Sequence, residues 1–207
     1  MSENLGFSHQ FVAGSSDRTL LLLHGTGGDE RDLLSLGRYL DPEAALLSPR
    51  GQVLENGMPR FFRRLAEGVF DEKDLIGRTN ELADFLQQAA THYAFDQKKL
   101  RAVGYSNGAN IAGALLLLRP EILRGAALLR PMVPLIPERL PDLTSSSVLV
   151  VAGNQDPVVP LEKARELVTL LRRAGADIAV YFEDAGHALT NNTVETTKRW
   201  LIEARRK

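Results

Sequence analysis

Short apolar runs recur along this chain at intervals long enough to hold a helix, and that spacing constrains the fold more than any other feature. The runs are Phe7 to Ala13, Thr19 to His24, Ala44 to Ser48, Leu100 to Tyr105, Gly125 to Leu129, Ser147 to Ala152 and Ile178 to Glu183. Uniformly apolar strands joined by helical segments predict a mostly parallel central sheet with helices on both faces. A helix is expected from Arg31 to Tyr39, with Asp29 placed to cap it, and a longer one from Arg78 to Tyr93, with Leu82, Phe85, Leu86 and Ala89 on one side. Pro160 opens a third, Leu161 to Ala174, which ends at Gly175. A last helix starts near Asn192, with Glu195 as its capping-box partner, and runs through Trp200 and Leu201. Gly51 to Asp74 and Pro131 to Ser146 show no clear periodicity and read as loops over a site. Neither repeat nor linker interrupts the pattern, so residues 1–207 read as a single domain without a large lid domain.

Apolar residues at 44% and charged residues at 25% allow a sizeable core. Lys plus Arg number 25 against 26 Asp plus Glu, a balance that offers no footprint for phosphate backbones, so nucleic acid is not an expected partner. Lys198, Arg199, Arg205, Arg206 and Lys207 are placed to offset the negative end of the last helix. The chain has no cysteine, which removes disulfides, a thiol nucleophile and a zinc-thiolate site; no metal or cofactor is expected. Met1-Ser2-Glu3-Asn4 lacks the basic and apolar regions of a secretion signal. The longest apolar or small run, Ile111 to Leu118, is far short of the roughly 20 residues of a membrane span, so the expected setting is the cytoplasm, without stable membrane insertion.

Gly104-Tyr105-Ser106-Asn107-Gly108 follows an expected strand and opens an expected helix. In that context a G-x-S-x-G sequence makes a sharp turn that lifts a serine hydroxyl above the sheet edge, over a helix N-terminus. Upstream, Leu20 to Leu23 run into His24-Gly25-Thr26-Gly27-Gly28. Acyl transfer needs donors aimed at the developing oxyanion, and the backbone N–H groups of Thr26 and Asn107 are the candidates. His24 is expected to hold the loop. A dinucleotide fingerprint would need glycine at position 30, which is Glu30, and no G-K-[ST] follows for a P-loop.

A serine needs a base, and of four histidines His187 is the candidate, since Gly186-His187-Ala188 lies between the last strand and the last helix. His9 and His92 have no such placement. The base needs an acid to fix its tautomer. Asp156 follows the strand ending at Ala152, whereas its competitor Asp184, three residues before His187, would have to fold back on its own loop. Ser106, Asp156 and His187 then occur in the chain order of the α/β-hydrolase fold.

Through His24-Gly25-Thr26-Gly27-Gly28-Asp29, Gly104 to Ala109, Gly153-Asn154-Gln155-Asp156-Pro157 and Gly186-His187, the chain resembles the phospholipase/carboxylesterase family of small serine hydrolases, which includes the acyl-protein thioesterases. The resemblance implies a lidless α/β-hydrolase acting on a small-molecule ester, with its triad on Ser106, Asp156 and His187, and a homodimer as one open assembly. Asn107 stands where the thioesterase branch carries glutamine, which points away from acyl-protein thioesterase activity. Tyr105 to Asn110, with Ser48-Pro49-Arg50-Gly51 and Phe61-Phe62-Arg63-Arg64, looks closer to bacterial carboxylesterases associated with hydroquinone or aromatic metabolism. A dienelactone hydrolase reading is disfavoured, because that family uses a cysteine. The expected function is hydrolysis of short-acyl carboxylic esters through an acyl-enzyme. The alternatives are a thioesterase or lysophospholipase on the same triad, or a non-catalytic ligand-binding domain. Phe61 and Phe62 are candidates for a pocket lining and Arg60, Arg63 and Arg64 for meeting an acidic substrate group, but the segment reads more simply as core phenylalanines beside solvated arginines.

Overall fold

The computed structural model describes residues 5–204. The sequence start at residues 1–4 and the basic Arg205, Arg206 and Lys207 therefore lie outside the described residues. The chain runs β1 (His9–Val12), β2 (Thr19–Leu23), α1 (Leu34–Leu40), β3 (Ala45–Pro49), β4 (Val53–Glu55), β5 (Met58–Arg60), β6 (Arg64–Ala66), β7 (Val69–Phe70) and α2 (Glu72–His92). It continues through β8 (Leu100–Tyr105), α3 (Asn107–Leu118), β9 (Gly125–Leu129), β10 (Ser147–Gly153), α4 (Leu161–Arg173), β11 (Asp177–Glu183) and α5 (Asn191–Ala204). A seven-stranded sheet has the order β1-β3-β2-β8-β9-β10-β11; β1 runs antiparallel to β3 and every other pairing is parallel. The strand pattern anticipated this mostly parallel sheet, and the arrangement is the α/β-hydrolase fold that the motif order and the family resemblance implied.

The period of two along each strand divides the interior into two cores. Leu21, Leu23, Ala102, Leu128 and Val150 point to the face covered by α2, α3 and α4. Leu20, Leu22, Val103, Leu129 and Val151 point to the face where Leu40 of α1 and Trp200 and Leu201 of α5 pack. Both faces are apolar, so the central strands read as continuous rather than alternating hydrophobic runs.

Five local expectations are corrected. The segment 51–74 is not all loop: β4 pairs with β5, and β6 with β7, as two antiparallel hairpins. Asn56 (φ 51°) and Gly57 (φ 79°) supply the left-handed backbone for the tight turn between Glu55 and Met58. Helix α2 starts at Glu72, earlier than Arg78, because the Asp71 side chain accepts from the Asp74 N–H and caps a polar first turn. Asp29 does not cap α1; it accepts from the Arg31 N–H in a local turn, and the helix begins at Leu34. At α5 the capping acceptor is Thr190, bonded from the Thr193 N–H at 3.0 Å, and Glu195 instead receives the Tyr39 hydroxyl. Lys198 sits 3.9 Å from the Tyr39 ring centroid, and the last turn of the described helix carries no basic residue.

Truncation of Leu22, fully buried on the α1/α5 face, is expected to destabilise the protein by about 3 kcal/mol in Leu22→Ala. Urea unfolding checks this, as a lower midpoint at unchanged slope.

Candidate functional site

All the parallel strands deliver their C-terminal ends to one edge of the sheet, and the site forms there. Between β8 and α3, Ser106 adopts φ 53° and ψ -113°, a conformation that costs a non-glycine residue about 1–3 kcal/mol. Its N–H donates to Leu129 O at 2.8 Å, which ties the strained residue to β9. A Cβ on Gly108 would lie 2.0 Å from Leu23 O, and one on Gly104 would lie 2.5 Å from Gly108 O. The two glycines are therefore dictated by how closely α3 approaches β2 and β8.

The loops after β10 and β11 bring the other two candidates to the serine. His187 Nε2 lies 2.9 Å from Ser106 Oγ, and His187 Nδ1 lies 2.7 Å from Asp156 Oδ2. A carboxylate can only accept, so Nδ1 carries the proton and Nε2 presents a lone pair to the serine hydroxyl. Asp156 also accepts at Oδ1 from the N–H groups of Val158 (2.8 Å) and Val159 (3.0 Å), so the same side chain shapes its turn and meets the imidazole. Asp184 turns elsewhere and accepts from Gln155 Nε2.

Ser106 and His187 line a cavity of about 240 Å³ together with Thr26 and Asn107. Asn107 is the first residue of α3, where backbone N–H groups have no intrahelical acceptor. Its side chain serves another purpose: Oδ1 accepts from the Phe61 N–H at 2.7 Å. One turn on, Asn110 Oδ1 accepts from the Met132 N–H at 2.9 Å. Two asparagines one turn apart thus fasten both irregular segments to α3.

His24 is buried, and the Gly51 N–H donates to its Nε2 at 3.0 Å, so the proton sits on Nδ1, which donates to Gly25 O at 2.7 Å. Burial pushes its pKa below the ordinary value of 6.5, and the ring stays neutral as a strut under the glycine-rich loop. The segment around Phe61 divides. Phe61 and Phe62 are core, and Arg63 is exposed, as expected. Arg64 lines the cavity, however, and so does Arg60, which is 4% exposed and donates to Thr26 Oγ1 at 2.7 Å. Burial lowers the Arg60 pKa, with the Glu55 carboxylate acting in the opposite direction. This corrects the preference for solvated arginines: an arginine in a three-residue strand carries no periodic signal to say which way it faces.

The family model described as Dienelactone hydrolase family matches residues 63–203, a stretch that holds Ser106, Asp156 and His187. This corrects the inference drawn from the missing cysteine. Serine and cysteine differ by one atom, and the shared framework of strands and loops does not depend on which of them occupies the turn. MhqD of Bacillus subtilis (strain 168), whose name assigns it no more than hydrolase, is 54% identical over 196 residues, covering 95% of this chain and 98% of its own. The crystal structure of the Bacillus cereus carboxylesterase is 49% identical with a TM-score of 0.95, covering 98% of this chain and all of that one. A carboxylesterase from Mesorhizobium loti is 32% identical with a TM-score of 0.90, over 98% and 97% of the two chains. These relatives support an enzyme of hydrolase type.

The His24 environment sets a sign for pH dependence. With the folded pKa below the unfolded one, the unfolded chain binds more protons as pH falls through about 6.5, so stability is lost on acidification, by at most about 1.4 kcal/mol per pH unit. His24→Gln, which keeps an acceptor for Gly51, is expected to show a shallower loss than wild type between about pH 7.5 and about pH 5.5. Parallel urea titrations at the two pH values check it, and equal slopes would contradict the neutral-strut role.

Proposed function

The chain belongs to the dienelactone hydrolase family, and from that premise we propose that it is a serine carboxylesterase acting on small, short-acyl carboxylic esters. The observation that carries this reading is the hydrogen-bonded series Ser106 Oγ, His187 Nε2, His187 Nδ1 and Asp156 Oδ2 at 2.9 and 2.7 Å. Ser106 attacks the ester carbonyl while His187 Nε2 takes its proton. The carbonyl oxygen becomes an oxyanion that the N–H groups of Thr26 and Asn107 receive. Collapse of this intermediate expels the alcohol, which takes the proton from His187, and leaves an acyl-enzyme. Water, deprotonated by His187, then attacks the acyl group to release the acid and restore Ser106. Asp156 holds the imidazole tautomer and stabilises the imidazolium.

The cavity supports a small substrate. Ligand pockets commonly run from about 300 to about 1,000 Å³, and one of about 240 Å³ with Arg60, Arg64 and Glu67 in its wall suits a compact ester better than a long acyl chain. A cytoplasmic setting is part of this reading.

A panel of p-nitrophenyl esters of increasing acyl length is expected to give ping-pong kinetics and a rate that falls steeply beyond the shortest acyl groups. Ser106→Ala is expected to reduce turnover by roughly four to six orders of magnitude in a folded protein, and to abolish labelling by a fluorophosphonate. Folded wild-type protein that neither turns over the panel nor labels would favour a ligand-binding domain instead.

A further inference from the structure

We propose that Arg130 is a positioning residue for His187, a clamp that holds the loop of the base in register with the nucleophile. The inference rests on the reading of His187 as the base. Arg130 directly follows β9, is 0% exposed, and is held at φ 58° with its N–H bonded to Val151 O at 2.8 Å. Its guanidinium reaches across the end of β10 to the loop after β11. Nε donates to Gly186 O at 2.9 Å, and Nη2 donates to Ala188 O at 3.0 Å, so the carbonyls on either side of His187 are held by one planar group. The carbonyl of His187 itself accepts from the Tyr105 hydroxyl at 3.2 Å. Three consecutive loop carbonyls are thus bonded by side chains from the two residues that end β8 and follow β9. Burial raises the Tyr105 pKa, which keeps the phenol protonated as a donor.

The clamp is anchored at its far side. Arg130 Nη2 is paired with Glu183 Oε1 at the end of β11, and Glu183 also accepts from the hydroxyls of Thr190 and Thr193, which begin α5. Burial pushes the Glu183 pKa up, but the bonds from Thr193, Arg130 and Thr190 outweigh it, and the carboxyl lies below its ordinary value. A buried cation is thereby balanced by a buried anion; Nε and Nη2 also serve the loop, while Nη1 is buried without a hydrogen-bond partner among the described residues. Nothing in the relay of Ser106, His187 and Asp156 requires an arginine here. The geometry points to loop order: a base whose ring drifts by about 1 Å can lose about a hundredfold in rate.

The test removes the ion pair as a unit, because loss of one partner alone strands a buried charge. Arg130→Met/Glu183→Leu is expected to fold and to show kcat lowered about a hundredfold, with KM within about twofold of wild type. Arg130→Lys, which keeps the pair with Glu183 but loses the fork, is expected to fall between. A readout independent of turnover is the downfield imidazole proton on His187 Nδ1, followed by NMR in the resting protein. It is expected to persist in wild type and Arg130→Lys, and to be broadened by exchange with water in the double variant. A folded double variant with wild-type kcat and a sharp imidazole signal would overturn the proposal. If wild type shows no Ser106-dependent turnover, the esterase reading fails, and the imidazole signal still decides whether Arg130 orders the loop.

Discussion

Residues 19–23 of β2 have no exposed side, and the same is true of β3 and β9; with helices on both faces, the sheet accepts polar chemistry only where its strands end. Because β2, β8, β9, β10 and β11 are all parallel, those ends coincide. His24, Ser106, Arg130, Asp156 and His187 each stand just beyond one of them. Burial thus decides where the site is before any side chain decides what it does.

What the strand ends supply in position, the loops must supply in order, and here polar side chains replace the missing backbone ladder. His24 bonds Gly51, Asn107 bonds Phe61, Asn110 bonds Met132 and Arg130 bonds Gly186 and Ala188. The first three satisfy backbone N–H groups that would otherwise be buried without a partner, at a cost of about 1–3 kcal/mol, and the last ties down two half-exposed or exposed loop carbonyls. The strained Ser106 is affordable in this setting because its neighbours are fixed from several sides.

The sheet and the three candidate residues were legible because their signals are local: apolar runs, a glycine-flanked serine, and a histidine and aspartate just past a strand. The choice between Asp156 and Asp184 needed only the argument that a short loop cannot easily fold back on itself, and Asp184 is indeed bonded to Gln155. The hairpins escaped because three residues are too few to display alternation, although Asn56-Gly57 marks the first turn. The true start of α2 escaped because its first turn is polar and only Asp71 announces it. Arg130 was unreadable for a different reason: its partners lie 56 and 58 residues away, and one charged residue after an apolar strand does not say which carbonyls it will meet. The carboxylesterase resemblance was legible from its motifs; the dienelactone hydrolase relationship was discounted for want of a cysteine, although the scaffold is shared with or without a thiol.

The hairpins β4–β5 and β6–β7 pair within themselves and form no ladder with the central sheet. Residues from both, including Arg60 and Arg64, nevertheless wall the cavity. Since each closes over its own turn, its sequence can change or lengthen with little effect on strand register elsewhere. Selection can therefore revise the rim of the cavity as a cassette exchange, leaving the Ser106 turn and the loop bonds of Arg130 unaltered.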